Sequence, residues 1–178
     1  MPVAGRPRLG GLLAGALTLA LTLGGCSNLD STGAARAEQP CSLLSEAQLA
    51  SLGRTHLRTG FAVDGQQEGT GNPGSRVCQY RIEVMNDTKA TRGVDGGVEL
   101  YAYTKNSQKA LAFFRSLSSD EEEITGMGDA AWWSARNQRL LIIKGDILLM
   151  VHFQVPAEYH DRDRPLAVAV GQLVADQV

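Results

Sequence analysis

The 178-residue chain carries 17 basic and 19 acidic side chains, a net charge of −2 at neutral pH. This balance argues against nucleic acid as a partner and against a polybasic membrane-binding segment.

Residues 1–25 have the pattern of a secretory signal peptide. Arg6 and Arg8 provide a short positive start, and residues 9–23 are uncharged and rich in Leu, Ala and Gly. The apolar run is short, interrupted by glycines and followed by small residues, which is typical of a signal peptide rather than of a spanning helix. We expect this segment to be removed.

The signal-like segment ends in Leu23-Gly24-Gly25-Cys26, which resembles a lipobox. We expect cleavage before Cys26 and a diacylglycerol on its thiol, so that acyl chains such as palmitate anchor the protein on the extracytoplasmic side of the cell membrane. Two acyl chains anchor stably where one does not. The alternative is an ordinary secretory signal that happens to precede a cysteine.

Cleavage leaves 153 residues, with 15 basic against 19 acidic side chains once Arg6 and Arg8 are gone, and a net charge of about −4. That length suits one domain. The small and polar residues of 26–40 predict a flexible tether, which carries the lipidated cysteine and ends at Pro40. Residues 41–178 are expected to form a single globular domain.

Two cysteines remain after acylation, Cys41 and Cys78, so only one intramolecular pairing is possible. An exported protein meets an oxidising compartment, which favours a disulfide. The alternatives are a buried thiol pair or a metal site, and the absence of neighbouring histidines in the sequence disfavours the metal.

The first element of the domain is predicted to be a helix that begins at Ser45. Ser45 and Gln48 have the spacing of a capping box, and Gly53 is placed to end the helix. Residues 55–75 are predicted to be irregular. The run 69–74 fits G-x-G-x-x-G, but no clear strand leads into it, Pro73 breaks any helix there and no helical pattern follows. We interpret it as a Gly-rich surface loop rather than a dinucleotide-binding loop.

Alternating apolar residues predict five strands further along the chain. The predicted strands are 77–84, 98–104, 130–136, 139–143 and 147–155. A helix after Asn106 or Ser107 should bury Ala110, Phe113, Phe114 and Leu117. The acidic run 120–123 is interpreted as a solvated turn rather than a cation site. A last helix should begin near Pro165 and bury Leu166, Ala169, Val170, Leu173 and Val174.

Hairpin connections between most of these strands predict an antiparallel sheet. The expected fold is therefore α+β, with a sheet of about five strands, helices packed mainly on one face, and one disulfide.

The segment 41–49, CSLLSEAQL, which is followed by Gly53, resembles an actinobacterial lipoprotein family known as domain of unknown function 3558. That family combines a lipobox, a tether, a Cys-x-Leu-Leu helix, a second cysteine two residues before an aromatic, and late Gly-x-Gly-Asp-x-Ala strands. Here the second cysteine is Cys78 with Tyr80, where Trp is more usual, and the late motif spans 126–132. The resemblance implies an envelope location and a disulfide, and it brings no catalytic residues.

The sequence holds no pattern that predicts an enzyme or a cofactor. The three histidines, His56, His152 and His160, form no metal-ligand motif, and no Gly-x-Ser-x-Gly is present. His160 with Asp161 and Asp163 could bind a cation, but the start of a helix explains these aspartates more simply. We therefore expect neither a metal nor a cofactor.

Four residues are the candidate contacts for a ligand or partner: Trp132, Trp133, Met150 and His152. Trp132 and Trp133 are adjacent on a strand, so one should be in the core while the other is either packed under a helix or exposed. The leading hypothesis is a non-catalytic binding or accessory module for an envelope protein. A carrier of a small apolar ligand, which would use Leu148, Met150 and His152, is the alternative, and an enzyme using His152 comes third.

Overall fold

A computed structural model describes residues 29–57, 60–71, 74–85, 94–155 and 160–178. The signal segment and Cys26 lie outside these residues. The helices are α1 (Leu29–Ala37), a 3₁₀ turn (Pro40–Ser42), α2 (Glu46–Leu57), α3 (Ser107–Ser116) and α4 (His160–Ala175). The strands are β1 (Gly60–Thr70), β2 (Ser75–Met85), β3 (Val94–Tyr103), β4 (Glu121–Glu123), β5 (Ala130–Ser134), β6 (Arg139–Lys144) and β7 (Ile147–Gln154).

The strands form one antiparallel sheet in the order β1-β2-β3-β7-β6-β5-β4. The α+β class, the antiparallel pairing and the disulfide are confirmed, but the sheet has seven strands rather than about five. The two additional strands are β1 and β4, which lie at the two edges of the sheet.

The prediction of an irregular segment over residues 55–75 is wrong because β1 occupies most of it. β1 contains three glycines, one aspartate and one glutamate, which have low strand propensity, but it pairs with β2 from Gly60 opposite Met85 to Thr70 opposite Arg76. The register shifts between Val63 and Gln66, which interrupts the alternation that would have revealed the strand. Pairing in the sheet has overridden local propensity here.

The acidic run is also not a simple turn. Residues 121–123 pair with β5, and Glu121 forms an ion pair with Arg115, with 2.8 Å between Oε2 and Nε. Asp120 lies before the strand, where its carboxylate accepts hydrogen bonds from the Ser134 hydroxyl and the Arg136 N–H. The carboxylates therefore join β4 to its neighbours.

The prediction of a flexible tether over residues 26–40 is wrong from residue 29 onward, because residues 29–37 form α1. Ala37 is fully buried, and Gly33 lies so close to Val178 that a Cβ at this position would come within 2.7 Å of the Val178 carbonyl carbon. Glu38 accepts a hydrogen bond from Thr104 and forms an ion pair with Arg76 at 3.7 Å. Small residues, which we read as signs of flexibility, here allow close packing.

The capping box of α2 is confirmed, but the predicted end of the helix is wrong. The Ser45 N–H donates to Gln48 Oε1 at 2.9 Å, and the Gln48 N–H donates to Ser45 Oγ at 3.3 Å. The helix continues through Gly53 to Leu57. Gly53 serves packing rather than termination, because an added Cβ would lie 2.3 Å from the ring of Phe61.

The sheet has two unlike faces. Face one is the side against which α2 and α4 pack: α2 contacts β1 and α4, and α4 contacts β6 and β7. Its core includes Tyr80, Leu100, Leu140, Val151, Phe153, Leu166 and Val170, all at most 1% exposed. The Cys41–Cys78 disulfide attaches the 3₁₀ turn to β2 on this side, and the Tyr80 hydroxyl donates to the Leu44 carbonyl.

Face two is the opposite side, and α3 covers only part of it. Phe114 packs there with Tyr103, Leu141, Ile143, Leu148 and Met150. The predicted core face of α3 is wrong for two residues, because Phe113 is 56% and Leu117 55% exposed. Apolar residues at helical spacing occupy more than one side of α3. The side that contains Ser107 and Phe114 faces the sheet.

α4 differs from the prediction at its start, since Pro165 is the sixth helical residue rather than part of the first turn. Leu166, Val170 and Val174 are buried as expected, and Ala169 and Leu173 are half-buried. Asp163 is fully buried and accepts a hydrogen bond from Gln138 Nε2 at 2.6 Å. The side chains of His160 and Asp161 lie outside the described part of the structure. Within the described residues, no helix has the length and apolarity needed to cross a membrane.

Candidate functional site

The part of face two that α3 leaves uncovered is lined by polar side chains. Alternation along β2 and β3 places Gln79, Arg81 and Glu99 on this side, while Cys78, Tyr80 and Leu100 point into the core. Gln154 of β7 pairs with Gly97 and borders the same area. We call this surface, made of Gln67, Gln79, Arg81, Glu99 and Gln154, the open half of face two.

Glu99 is at the centre of a hydrogen-bonded cluster. Its carboxylate lies 3.1 Å from His152 Nδ1, accepts the Tyr101 hydroxyl at 3.0 Å, and accepts Gln79 Nε2 at 3.0 Å. These four side chains come from β2, β3 and β7, which are adjacent in the sheet. The Glu99 side chain is 16% exposed and that of His152 is 33% exposed, so the cluster is partly accessible.

The hydrogen bonds decide the charge state of the cluster. The hydrogen bond with His152, followed by those from Tyr101 and Gln79, lowers the pKa of Glu99 against the opposing effect of burial. Burial, together with the nearby Glu99 carboxylate, raises the pKa of Tyr101 to about 12. Near neutral pH the site therefore presents a carboxylate held by a phenol that keeps its proton.

Glycines shape the floor of the site. Gly97 pairs with Gln154 and lies on the same side of β3 as Glu99, and a Cβ at this position would lie 3.6 Å from Gln154 Oε1. The resulting groove has a volume of about 510 Å³ and is bordered by Gln66, Arg81 and Gln154 as well as by the two glycines 96 and 97. A ligand at this groove would meet several hydrogen-bond donors and acceptors.

A Glu–His pair can orient a general base, so the surroundings of His152 decide whether the cluster can act on a substrate. Among the described residues, the only side-chain partner of His152 is Glu99, and no hydroxyl or thiol forms a hydrogen bond to its ring. Within the described residues, the pair is therefore not hydrogen-bonded through the imidazole to a side-chain nucleophile. Its geometry is suited to holding a hydrogen-bonding partner.

The other predicted contact residues occupy different places. Trp133 is 3% exposed in the core of face one, whereas Trp132 is half-buried on face two with the Arg115 guanidinium 4.4 Å above its ring. Met150 is 6% exposed and packs with Phe114. Of the four predicted residues, only His152 belongs to the cluster at Glu99.

Sequence reasoning missed Glu99, Tyr101 and Gln79 as site residues. Their alternation is visible in the sequence, where Glu99 and Tyr101 alternate with Val98, Leu100 and Ala102. The missing information was the pairing of β3 with β7, which sets Glu99 directly opposite His152 across 53 positions of sequence. A register that joins distant strands is not encoded in the local pattern.

Within the described ranges, no three His, Cys, Asp or Glu side chains group closely enough to hold a metal ion. Comparison with known proteins adds no relative: no family model matches the chain, and neither the curated proteins nor the solved structures contain a match.

Proposed function

We propose that this protein is a lipid-anchored, non-catalytic binding or accessory module displayed on the extracytoplasmic side of the cell membrane. The observation that carries the proposal is the open half of face two. This surface is polar and partly accessible, and Gln79, Tyr101 and His152 are held there by hydrogen bonds with the Glu99 carboxylate. Such preorganised polar groups are typical of a binding surface.

The anchor part of the proposal comes from Cys26 and the lipobox-like residues before it. The disulfide between Cys41 and Cys78 supports export, because disulfides persist in oxidising compartments. The resemblance to the domain of unknown function 3558 family agrees with the same location, and membership of that family is part of this proposal.

The chemistry of the site favours a polar partner. The glutamines of this surface offer amide donors and acceptors, and Glu99 offers a carboxylate. Arg81, whose side chain is 72% exposed, offers a guanidinium that also forms an ion pair with Asp64 at 3.7 Å. Groups of this kind bind an extended polar surface such as a segment of another envelope protein. No cofactor or metal is required for such binding.

The alternative, a carrier for a small apolar ligand, has less support. It rested on Leu148, Met150 and His152 as an apolar face, but Leu148 is 0% and Met150 6% exposed beneath α3. The accessible part of that face is the polar cluster at Glu99 and His152. We therefore rank a polar envelope partner first.

The anchor is tested by intact mass and fractionation of the protein expressed in its native host. The wild-type chain should fractionate with membranes and carry the mass of a diacylglycerol on residues 26–178. A Cys26→Ser variant should lose that added mass. A wild-type protein that is recovered unacylated from the soluble fraction would refute the anchor.

A further inference from the structure

We propose that the exposed ridge of α3 docks onto the anionic headgroups of the membrane in which the Cys26 acyl chains insert. We define this ridge by Phe113 and Leu117 with the flanking Lys105 and Lys109. The inference rests on the proposed acylation of Cys26 and adds a second, non-covalent contact with the same lipid surface.

The ridge exposes unusually large apolar side chains. Phe113 and Leu117 are one helical turn apart, and both are more than half exposed. Among the described residues, they are the exposed large hydrophobic side chains. Phe113 also borders a groove of about 470 Å³ that Tyr103 and Phe114 help to line. Clustered apolar surface of this kind marks a contact site.

The charge around the ridge fits an anionic surface. Lys105 and Lys109 border the groove beside Phe113, and residues 104–119 contain no acidic side chain. The acidic run 120–123 begins three residues after Leu117, and two of its carboxylates form ion pairs with Arg115 and Arg164. Within the described part of the chain, neither lysine forms an ion pair, whereas Arg115 is held by Glu121. Apolar side chains next to free lysines are the pattern of an interfacial helix.

α1 connects the anchor to the segment that precedes α3. Residues 27 and 28 separate Cys26 from α1, so the acylated residue lies at most about 11 Å from Leu29. At the other end of α1, Glu38 is hydrogen-bonded to Thr104, which directly precedes Lys105. The anchor therefore joins the domain through α1, whose far end contacts the segment just before the basic start of α3.

The overall charge of about −4 for residues 26–178 does not prevent this contact. The acyl anchor removes the cost of bringing the domain to the membrane, so a weak local attraction suffices to orient it. A lysine close to an anionic surface contributes about fivefold to the equilibrium, and two contribute roughly thirtyfold.

The test uses the acylated full-length mature protein in vesicles that contain a brominated lipid. Phe113→Trp is introduced in a Trp132→Phe background, so that the buried Trp133 is the remaining native tryptophan. Ala47→Trp, at an exposed position of α2 on face one, is the matched control. The vesicles are made of phosphatidylcholine with or without phosphatidylglycerol, and intact mass confirms the acyl chains in each sample.

We expect quenching by the brominated lipid for Phe113→Trp and not for Ala47→Trp. Lys105→Gln with Lys109→Gln should lower the docked-to-undocked ratio roughly thirtyfold in phosphatidylglycerol vesicles. The double variant Arg54→Gln with Arg136→Gln removes the same charge elsewhere and should leave the ratio unchanged.

Absence of quenching in acylated Phe113→Trp would overturn the docking while leaving the anchor intact. A missing diacylglycerol mass would instead refute the proposed anchor. A shift of the Phe113→Trp emission in native envelope membranes, without quenching in pure lipid vesicles, would show that the ridge contacts a protein and would also overturn the inference.

Discussion

The two faces of the sheet are made by the same seven strands but are used differently. Face one is covered by α2 and α4, holds the larger core and carries the disulfide. Face two is covered by α3 over part of its area, and the remainder presents the polar cluster at Glu99. Because successive side chains of a strand point to opposite faces, each strand supplies both surfaces.

This difference predicts which substitutions should alter stability and which should alter binding. The side chains of Cys78 and Leu100 lie in the core of face one. Those of their neighbours Gln79 and Glu99 lie on the opposite side of the sheet, on face two. Changes on face one should therefore alter stability strongly. Changes on the open half of face two should alter stability little and binding strongly.

The two tryptophans give the largest expected contrast. Trp133→Ala removes a side chain that is 3% exposed. The cavity that it leaves in the core should lower the free energy of unfolding by about 3–5 kcal/mol. Trp132→Ala removes a half-buried ring under Arg115 and should cost about 1 kcal/mol. Urea denaturation of the two variants measures both values, and equal losses would contradict the assignment of faces.

The disulfide should have the next largest effect. Cys41 and Cys78 close a loop with a sequence separation of 37, and in the chain-entropy model this stabilises the fold by up to about 4 kcal/mol. The double variant Cys41→Ala with Cys78→Ala should therefore unfold at lower urea concentration. Treatment of the wild type with a reductant should reproduce the loss, and a wild type that is insensitive to reductant would contradict it.

Gly53 should be intolerant of a methyl group in spite of its position in a helix. Gly53→Ala improves helix propensity but forces the new Cβ against Phe61, so we expect a loss of about 2 kcal/mol. Adding Phe61→Leu should recover part of this loss. Ser51→Ala, at an exposed position of the same helix, is the control and should be close to neutral.

The smallest effect should come from the open half of face two and depend on pH. The lowered pKa of Glu99 means that its stabilising contribution is present above the pKa of the unfolded chain and is lost as pH falls through the lower folded value. Glu99→Gln should cost about 1 kcal/mol near neutral pH and nothing at low pH, when the wild-type carboxyl is protonated. Denaturation midpoints across the acidic range compare the two proteins.

The sequence was informative wherever local chemistry decides structure. The Ser45–Gln48 cap and five alternating strands were predictable because each depends on residues that are near in sequence. The pairing of Cys41 with Cys78 was predictable because an acylated Cys26 leaves these two cysteines as the one possible pair. The sequence was misleading where tertiary packing decides, as in β1, which gains its structure from β2. The burial of Gly33 likewise depends on Val178, which is distant in sequence, and that of Gly53 on Phe61, which no sequence pattern connects to it.

The candidate site was the least predictable part of the molecule. His152 was identified as a candidate without its partner, because Glu99 lies opposite it only in the β3–β7 register. Phe113 and Leu117 were assigned to the core because helical spacing shows that a stripe exists but not how much of it the sheet covers.

The most direct test of the account is photo-crosslinking in the native host from a benzoylphenylalanine introduced at Gln79, on the open half of face two, compared with one introduced at Ala47 on α2. The account predicts that the Gln79 position crosslinks to a specific envelope component, that the Ala47 position does not, and that Glu99→Gln or Arg81→Ala weakens the crosslink. Specific crosslinks from Ala47 with none from Gln79 would contradict the assignment of the binding surface.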